Sequence, residues 1–222
     1  MFPTDAFPPA PLELSITFVA HSTLWLTYGN TVVHVDPVSQ FADYSTLPKA
    51  DIVLVTHEHS DHLDPGAIAA VRKPTTTVIV ASKCAGKVPG AIVLHNDESK
   101  SVSGIRIEAV PAYNVVHARA PGSPYHPKGE GNGYVLTLGE RRVYVAGDTE
   151  NTREMKALKR IDIAFLPMNL PYTMTPEMVF DAARSFRPKI LYPYHFGDTD
   201  TTKIQSLLAG EKEIEVRIRP MK

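Results

Sequence analysis

The chain has 222 residues, 43% of them apolar and 21% charged, enough to bury a sizeable core and inconsistent with disorder. Lys and Arg total 23 against 24 Asp and Glu, a net charge of −1, so no global basic field exists for nucleic acid or a membrane surface. The lone Cys84 excludes an internal disulfide framework and fits a reducing cytoplasm, where it reads as a small buried apolar residue.

Residues 1–11 carry Pro3, Pro8, Pro9 and Pro11, without a basic start or a long apolar centre. They read as an extended lead-in, not a secretion signal. No apolar run approaches the roughly 20 residues of a membrane helix, so a cytoplasmic protein is expected. Residues 12–222 have the length of one domain.

Leu12 to Val19, Thr23 to Tyr28 and Thr31 to Asp36 are β-branched and aromatic, with Gly29-Asn30 as a tight turn. They predict a meander that Pro37 ends. Asp51 to Val55 is a short buried strand. Asp64 and Pro65 are the N-cap and first residue of a helix running to Val71. Thr75 to Ala81 and Ala91 to Leu94 predict strands, and Val102 to Val110 alternates cleanly as a third. Ala112 to Gly131 is the longest stretch without a pattern, and a loop of that length in a compact domain is usually functional.

Tyr134 to Leu138 and Arg141 to Ala146 form a second hairpin about Gly139-Glu140. Ile161 to Leu166 is a buried strand, and Thr175-Pro176-Glu177 opens a helix with Val179, Ala182, Ala183 and Phe186 on its inner face. A strand at Ile190 to Tyr192, a helix at Thr201 to Leu208 and a strand at Ile214 to Ile218 complete the chain. Two similar β-rich halves emerge, each ending in helices. An α/β fold of two sheets packed face to face, with helices outside, buries both inner faces.

The chemistry concentrates in Thr56-His57-Glu58-His59-Ser60-Asp61-His62, directly after the buried strand. In extended backbone His57 and His59 leave the same side, while Asp61 and His62 follow once the chain has turned. Imidazole and carboxylate together suit Zn, Mn or Fe. A His-rich polar surface turn is the bland alternative. His34 and His95 lie within strand patterns and read as structural.

This H-x-H-x-D-H stretch resembles the signature of the metallo-β-lactamase-fold hydrolases. Ala146-Gly147-Asp148-Thr149 and Pro193-Tyr194-His195-Phe196 match the positions where that superfamily supplies further ligands. Within it the chain looks most like the small single-domain branch that includes L-ascorbate-6-phosphate lactonase. The resemblance implies a four-layer αβ/βα sandwich of two mixed, mostly antiparallel sheets, with a binuclear metal site at one edge. It implies that His57, His59 and a third His hold one ion, Asp61, His62 and His195 the other, and that Asp148 bridges.

Many relatives place the third His directly after the strand that here ends near Ala112, but this chain has Tyr113-Asn114. His117 and His126 are the two substitutes. His126 is preferred because the glycines that follow let backbone approach a metal closely. Asp36 matches a family Asp and is expected to accept a hydrogen bond from a metal-bound imidazole; a mere strand-ending Asp is the alternative. His21 also matches a position near the metal, either orienting substrate or a leaving group, or simply as a satisfied half-buried imidazole.

Asn169, Tyr172, Tyr113, Tyr125 and Tyr194 are expected to line the site, with Lys128 holding an anion. Two divalent ions outweigh two carboxylates and a hydroxide and lower the pKa of bound water to about 7. The expected activity is hydrolysis of a small anionic ester, lactone or phosphodiester by a metal-bound hydroxide, with Asp61, Asp148 and His21 as catalytic residues. A small-molecule substrate is the expected partner. A di-iron redox protein of the same fold is the first alternative. It is disfavoured because such members carry H-x-E-x-D-H, where this chain has His59. A non-enzymatic metal-binding protein is the second.

Overall fold

The computed structural model describes residues 2–222. In chain order, β1 is Thr4–Phe7, β2 Leu14–Ala20, β3 Thr23–Tyr28, β4 Thr31–Val35, β5 Ile52–Val55, β6 Thr77–Val80 and β7 Ile92–Val93, with α1 at Pro65–Val71. They form one seven-stranded sheet in sequential order, antiparallel from β1 to β4 and parallel from β4 to β7. The second half supplies β8 (Ser99–Val102), β9 (Ile105–Ala112), β12 (Gly131–Leu138), β13 (Arg141–Val145), β14 (Ile163–Pro167), β15 (Ile190–Tyr194) and β16 (Glu215–Val216). These form a second seven-stranded sheet with the same division, antiparallel through β13 and parallel beyond it. Between β9 and β12, β10 (Ala118–Ala120) and β11 (Ser123–Pro124) make a small separate hairpin.

The sheets face each other across a shared core in which Phe18, Phe165 and Tyr192 meet with ring centroids 5.0–6.1 Å apart. Outside the first sheet, Ala67, Ile68 and Val71 of α1 bury against Val53, Val55 and Val78. Outside the second lie α2 (Arg153–Lys156), α3 (Pro176–Phe186) and α4 (Thr202–Leu208). The result is a four-layer αβ/βα sandwich. Strands β5 and β14 are buried on both faces and so read as unbroken apolar runs. Asp64 caps α1 by accepting from Gly66 and Ala67 N–H, and Thr175 caps α3 by accepting from Met178 N–H.

Two expectations change. Residues 1–11 do not stand outside the sheet, because Thr4–Phe7 pairs with β2 as its edge strand. Asp5 locks that edge to the C-terminus by accepting from the Arg219 guanidinium at 2.6–3.0 Å. The alternating run from Val102 to Val110 is two strands, since Ser103 and Gly104 turn the chain with φ of 51° and 77°. Among the described residues no helix is long and apolar enough to cross a membrane.

Candidate metal centre

Strands β2, β4, β5, β13 and β15 all end at one edge of the sandwich, and the residues just beyond them meet there. Asp36 follows β4, Thr56 to His62 follow β5, Asp148 lies just past β13, His195 follows β15, and His21 sits in the β2–β3 turn. His21, Asp36 and His195 hold φ of 55°, 44° and 46°, left-handed values costing about 1–3 kcal/mol each in a non-glycine residue. Each lets the chain reverse at a strand end. Backbone bonds across the edge fix the relation of the two halves: His195 N–H donates to His21 C=O at 2.9 Å and Asn132 N–H to Thr56 C=O at 2.8 Å. Gly147, at φ +66°, is pressed so close that a Cβ would lie 2.8 Å from the Asn132 carbonyl oxygen. That approach brings Asp148 beside Thr56 and His57.

Two groups of donors result: His57, His59 and His126, and His21, Asp61, His62 and His195. Asp148 lies between them. Its Oδ1 is 3.5 Å from His62 Nε2, and its Oδ2 is 3.3 Å from His126 Nε2 and 3.4 Å from His195 Nε2. His57 Nε2 faces His59 Nδ1 at 3.1 Å. Two nitrogens bound tetrahedrally to zinc sit roughly 3.3 Å apart.

The tautomers follow from the hydrogen bonds. Thr56 Oγ1 gives its only proton to Asp36 at 2.6 Å, so it accepts from His57 Nδ1 at 3.1 Å. Asp36 accepts His62 Nδ1–H at 2.8 Å and Thr56 N–H at 2.8 Å. Asn114 donates through Nδ2 to the Tyr172 carbonyl, so its Oδ1 accepts from His126 Nδ1 at 2.8 Å. In the neutral form of each ring Nε2 carries the lone pair and is turned inward. Buried without any partner are His62 Nε2, His126 Nε2, both His195 nitrogens and Asp148 Oδ1. Leaving such groups unpaired is costly, and cations seated among them would satisfy His62 Nε2, His126 Nε2, His195 Nε2 and Asp148 Oδ1. The electrostatics agree: burial pushes His62 down, but Asp148, Asp36 and Asp61 outweigh it and raise its pKa to about 9. His57 is held well below its ordinary value by burial and by the His62 charge. The residues present fit a metal.

His126, not His117, joins the cluster. The His117 ring instead lies 2.6 Å from a fully buried carboxylate, Glu150. The glycines after His126 do allow close approach: Gly129 takes φ +91°, and a Cβ at Gly131 would lie 3.5 Å from His57 Cβ. Asn114 receives both His126 N–H, at 2.7 Å, and its ring.

A cavity of about 410 Å³ opens above the cluster, with Asn169, Tyr172, His21 and Arg119 in its wall. Four residues expected at the site lie outside this cavity wall. Lys128 is drawn off to Glu154 at 2.7 Å, over the Tyr113 ring, because a carboxylate there neutralises it. Tyr113 itself donates to Glu154 at 2.9 Å. Tyr194 is buried, and its hydroxyl accepts Gly147 N–H at 2.8 Å, supporting the Asp148 turn. Tyr125 flanks a smaller recess behind His57 and His59. Asn114, Glu150 and Arg119 were not anticipated. The Asn where a His is usual was the only signal for the first, and nothing local marks the other two. His34 is structural: its Nε2 donates to the Pro48 carbonyl at 2.9 Å, and burial lowers its pKa to about 4.

The β-lactamase superfamily domain model matches residues 15–195. A UPF0173 metal-dependent hydrolase of Methanoculleus marisnigri is 31% identical, over 91% of this chain and 89% of its own. A crystal structure from Parabacteroides distasonis, of a protein whose assignment as a metal-dependent hydrolase is provisional, covers 100% of both chains at 51% identity and a TM-score of 0.95. CmlA, a diiron β-hydroxylase of Streptomyces venezuelae, shares the fold alone, with 18% identity over 96% of this chain and 53% of its own and a TM-score of 0.71. With its sandwich, its strand-end cluster and these relatives, the chain belongs to the UPF0173 metal-dependent hydrolases of the metallo-β-lactamase superfamily.

Proposed function

We propose that the centre holds two divalent ions, zinc first with Mn or Fe as alternatives, and hydrolyses a small anionic ester, lactone or phosphodiester. A phosphorylated lactone falls in this class. One observation carries the reading: inward lone pairs from both halves of the chain converge on Asp148 at the floor of an open cavity. His57, His59 and His126 would hold one ion and Asp61, His62 and His195 the other. Asp148, whose carboxylate lies beside His126 of the first group and beside His62 and His195 of the second, would bridge.

Ions bound there supply Lewis acidity and lower the pKa of a coordinated water to about 7. The chain supplies the rest. Asp36, Thr56 and Asn114 hold three imidazoles in the tautomer that presents Nε2, so no ring has to turn during turnover. His21 lies 3.1 Å from Asp61 and stacks on His195 at 3.7 Å, at the cavity wall. It is placed to hold a proton against Asp61 and hand it to a leaving group. Asn169 and Tyr172 shape the far wall.

The imidazole at His59 favours hydrolysis over di-iron redox chemistry, although the fold hosts both. The open cavity speaks against a purely structural metal, since structural sites are closed. The test is a panel of phosphodiesters, lactones and thioesters offered to zinc-loaded protein, alongside elemental analysis. Turnover of one class with two metals per chain is expected. A fully loaded protein inert toward every class would overturn the hydrolase reading, and iron retained through purification would favour the redox one.

A further inference from the structure

The cavity contains one feature that the metal chemistry does not use. Arg119 lines it, and among the described residues its guanidinium makes no hydrogen bond and no ion pair. The other cation expected at the site, Lys128, is neutralised by Glu154. Arg119 is held by a face: its Cζ lies 5.2 Å over the Tyr125 ring, and Tyr125 packs edge-on against Tyr172 at 5.1 Å. Stacking occupies the plane of a guanidinium and leaves its N–H edge free. That edge is the part which grips a carboxylate or phosphate through two parallel hydrogen bonds.

The backbone beneath Arg119 is anchored. Arg119 lies between Ala118 and Ala120 on β10, at the point where the pairing with β11 shifts register. Two residues earlier the chain is tied to the centre by Glu150. This carboxylate, with no exposed side-chain surface, accepts Val115 and Val116 N–H at 2.6 Å each, His117 N–H at 2.8 Å and the His117 ring at 2.6 Å. Glu150 also accepts from Asn114, which orients His126. One buried acid thus fixes the arm bearing Arg119 and the arm bearing a metal-ligand candidate in a single frame.

We infer that Arg119 is the specificity-determining residue of this site, binding an anionic group, carboxylate or phosphate, that the substrate carries apart from the bond it loses. This rests on the hydrolase reading for the word substrate, but the binding it describes is measurable without turnover. The probes are acetate and the straight-chain dicarboxylates from succinate to adipate, titrated calorimetrically into zinc-loaded protein. Acetate offers one carboxylate to the metals, and a dicarboxylate of matching length offers its second to Arg119. At least one dicarboxylate is expected to bind roughly 10- to 100-fold more tightly than acetate, the range of a charge-assisted pair. Arg119→Ala should abolish that advantage and leave acetate unchanged, and Arg119→Lys should restore part of it. Dicarboxylates that bind no better than acetate, or an advantage that survives in Arg119→Ala, would overturn the assignment.

The 4-nitrophenyl monoesters of the same acids give the kinetic counterpart. Arg119→Ala should raise KM for the best anionic ester and leave kcat and the neutral acetate ester unchanged. A uniform fall in kcat for all esters would also overturn the assignment. Absence of turnover with every ester would count against the hydrolase reading alone, and the titration would still decide the role of Arg119.

Discussion

The two sides of the centre are built differently. On the side of His57, His59 and His126, two of the three rings, His57 and His126, donate Nδ1–H to a buried acceptor, Thr56 or Asn114. On the side of Asp61, His62 and His195, only His62 is held this way, by Asp36. The Asp61 side chain is 41% exposed, and His195 Nδ1 has no partner. A ligand whose orientation is already fixed loses little freedom when a metal arrives, whereas an exposed carboxylate must be ordered. The difference teaches that one family signature encodes a preorganised half and an adaptable half. Both halves reach the cavity, through His59 and His126 on one side and Asp61 and His195 on the other.

The largest effect is expected where the halves join. Asp148→Ala should reduce metal content on both sides and lower activity by more than the roughly 100-fold typical of losing a supporting partner. Elemental analysis that still finds two metals per chain would show that Asp148 does not connect them. Next in size, Asn114→Ala should weaken metal on the first side by about 10- to 100-fold. Asp61→Asn should instead loosen only the second, read as two separable steps in a chelator titration. If the wild type releases both metals in one step, the asymmetry described above is absent from its binding.

Acidity sharpens the comparison further. In stripped protein His62 keeps its proton up to about pH 9, so a metal must displace it below that value. Metal affinity should therefore rise with pH and level off near 9, with protons released on binding. The fold shows the opposite trend. A pKa raised above the unfolded 6.5 stabilises stripped protein fully below 6.5, and that stabilisation is lost as pH rises through about 9. Thermal melts of stripped and loaded protein across this window should diverge in slope; parallel slopes would contradict it.

The smallest effect belongs to His117→Ala. Metal content should stay unchanged, because the ring serves Glu150 and not the centre. Loss of one of several donors to that carboxylate should cost about 1 kcal/mol, seen as a fall in Tm of about 2–4 °C. A drop in metal occupancy would instead return His117 to the ligand set.

Much of this was legible from local pattern. Capped helices announce themselves through Asp64-Pro65 and Thr175-Pro176, and doubly buried strands through unbroken apolar runs, because those signals depend only on near neighbours. The break at Ser103-Gly104 was hidden because β8 is Ser99-Lys100-Ser101-Val102, so Val102 alone gives it an apolar signal, and that residue reads as the start of β9. The edge strand Thr4–Phe7 was hidden because its pairing comes from β2 and its anchor from Arg219, at the far end of the chain.

The donor cluster His57-x-His59-x-Asp61-His62 is readable from sequence alone, since all four side chains follow one strand end within a few residues. Tertiary structure decided which distant His completes it. His126 enters because Asn114 accepts its ring across twelve residues of chain, and His117 is withdrawn because Glu150, folded in from the other side, claims it first. The same packing cancelled Lys128 with Glu154 and left Arg119 free in the cavity wall. Charge is written in the sequence, but whether a charge remains available depends on which opposite charge the fold brings within a few ångströms of it.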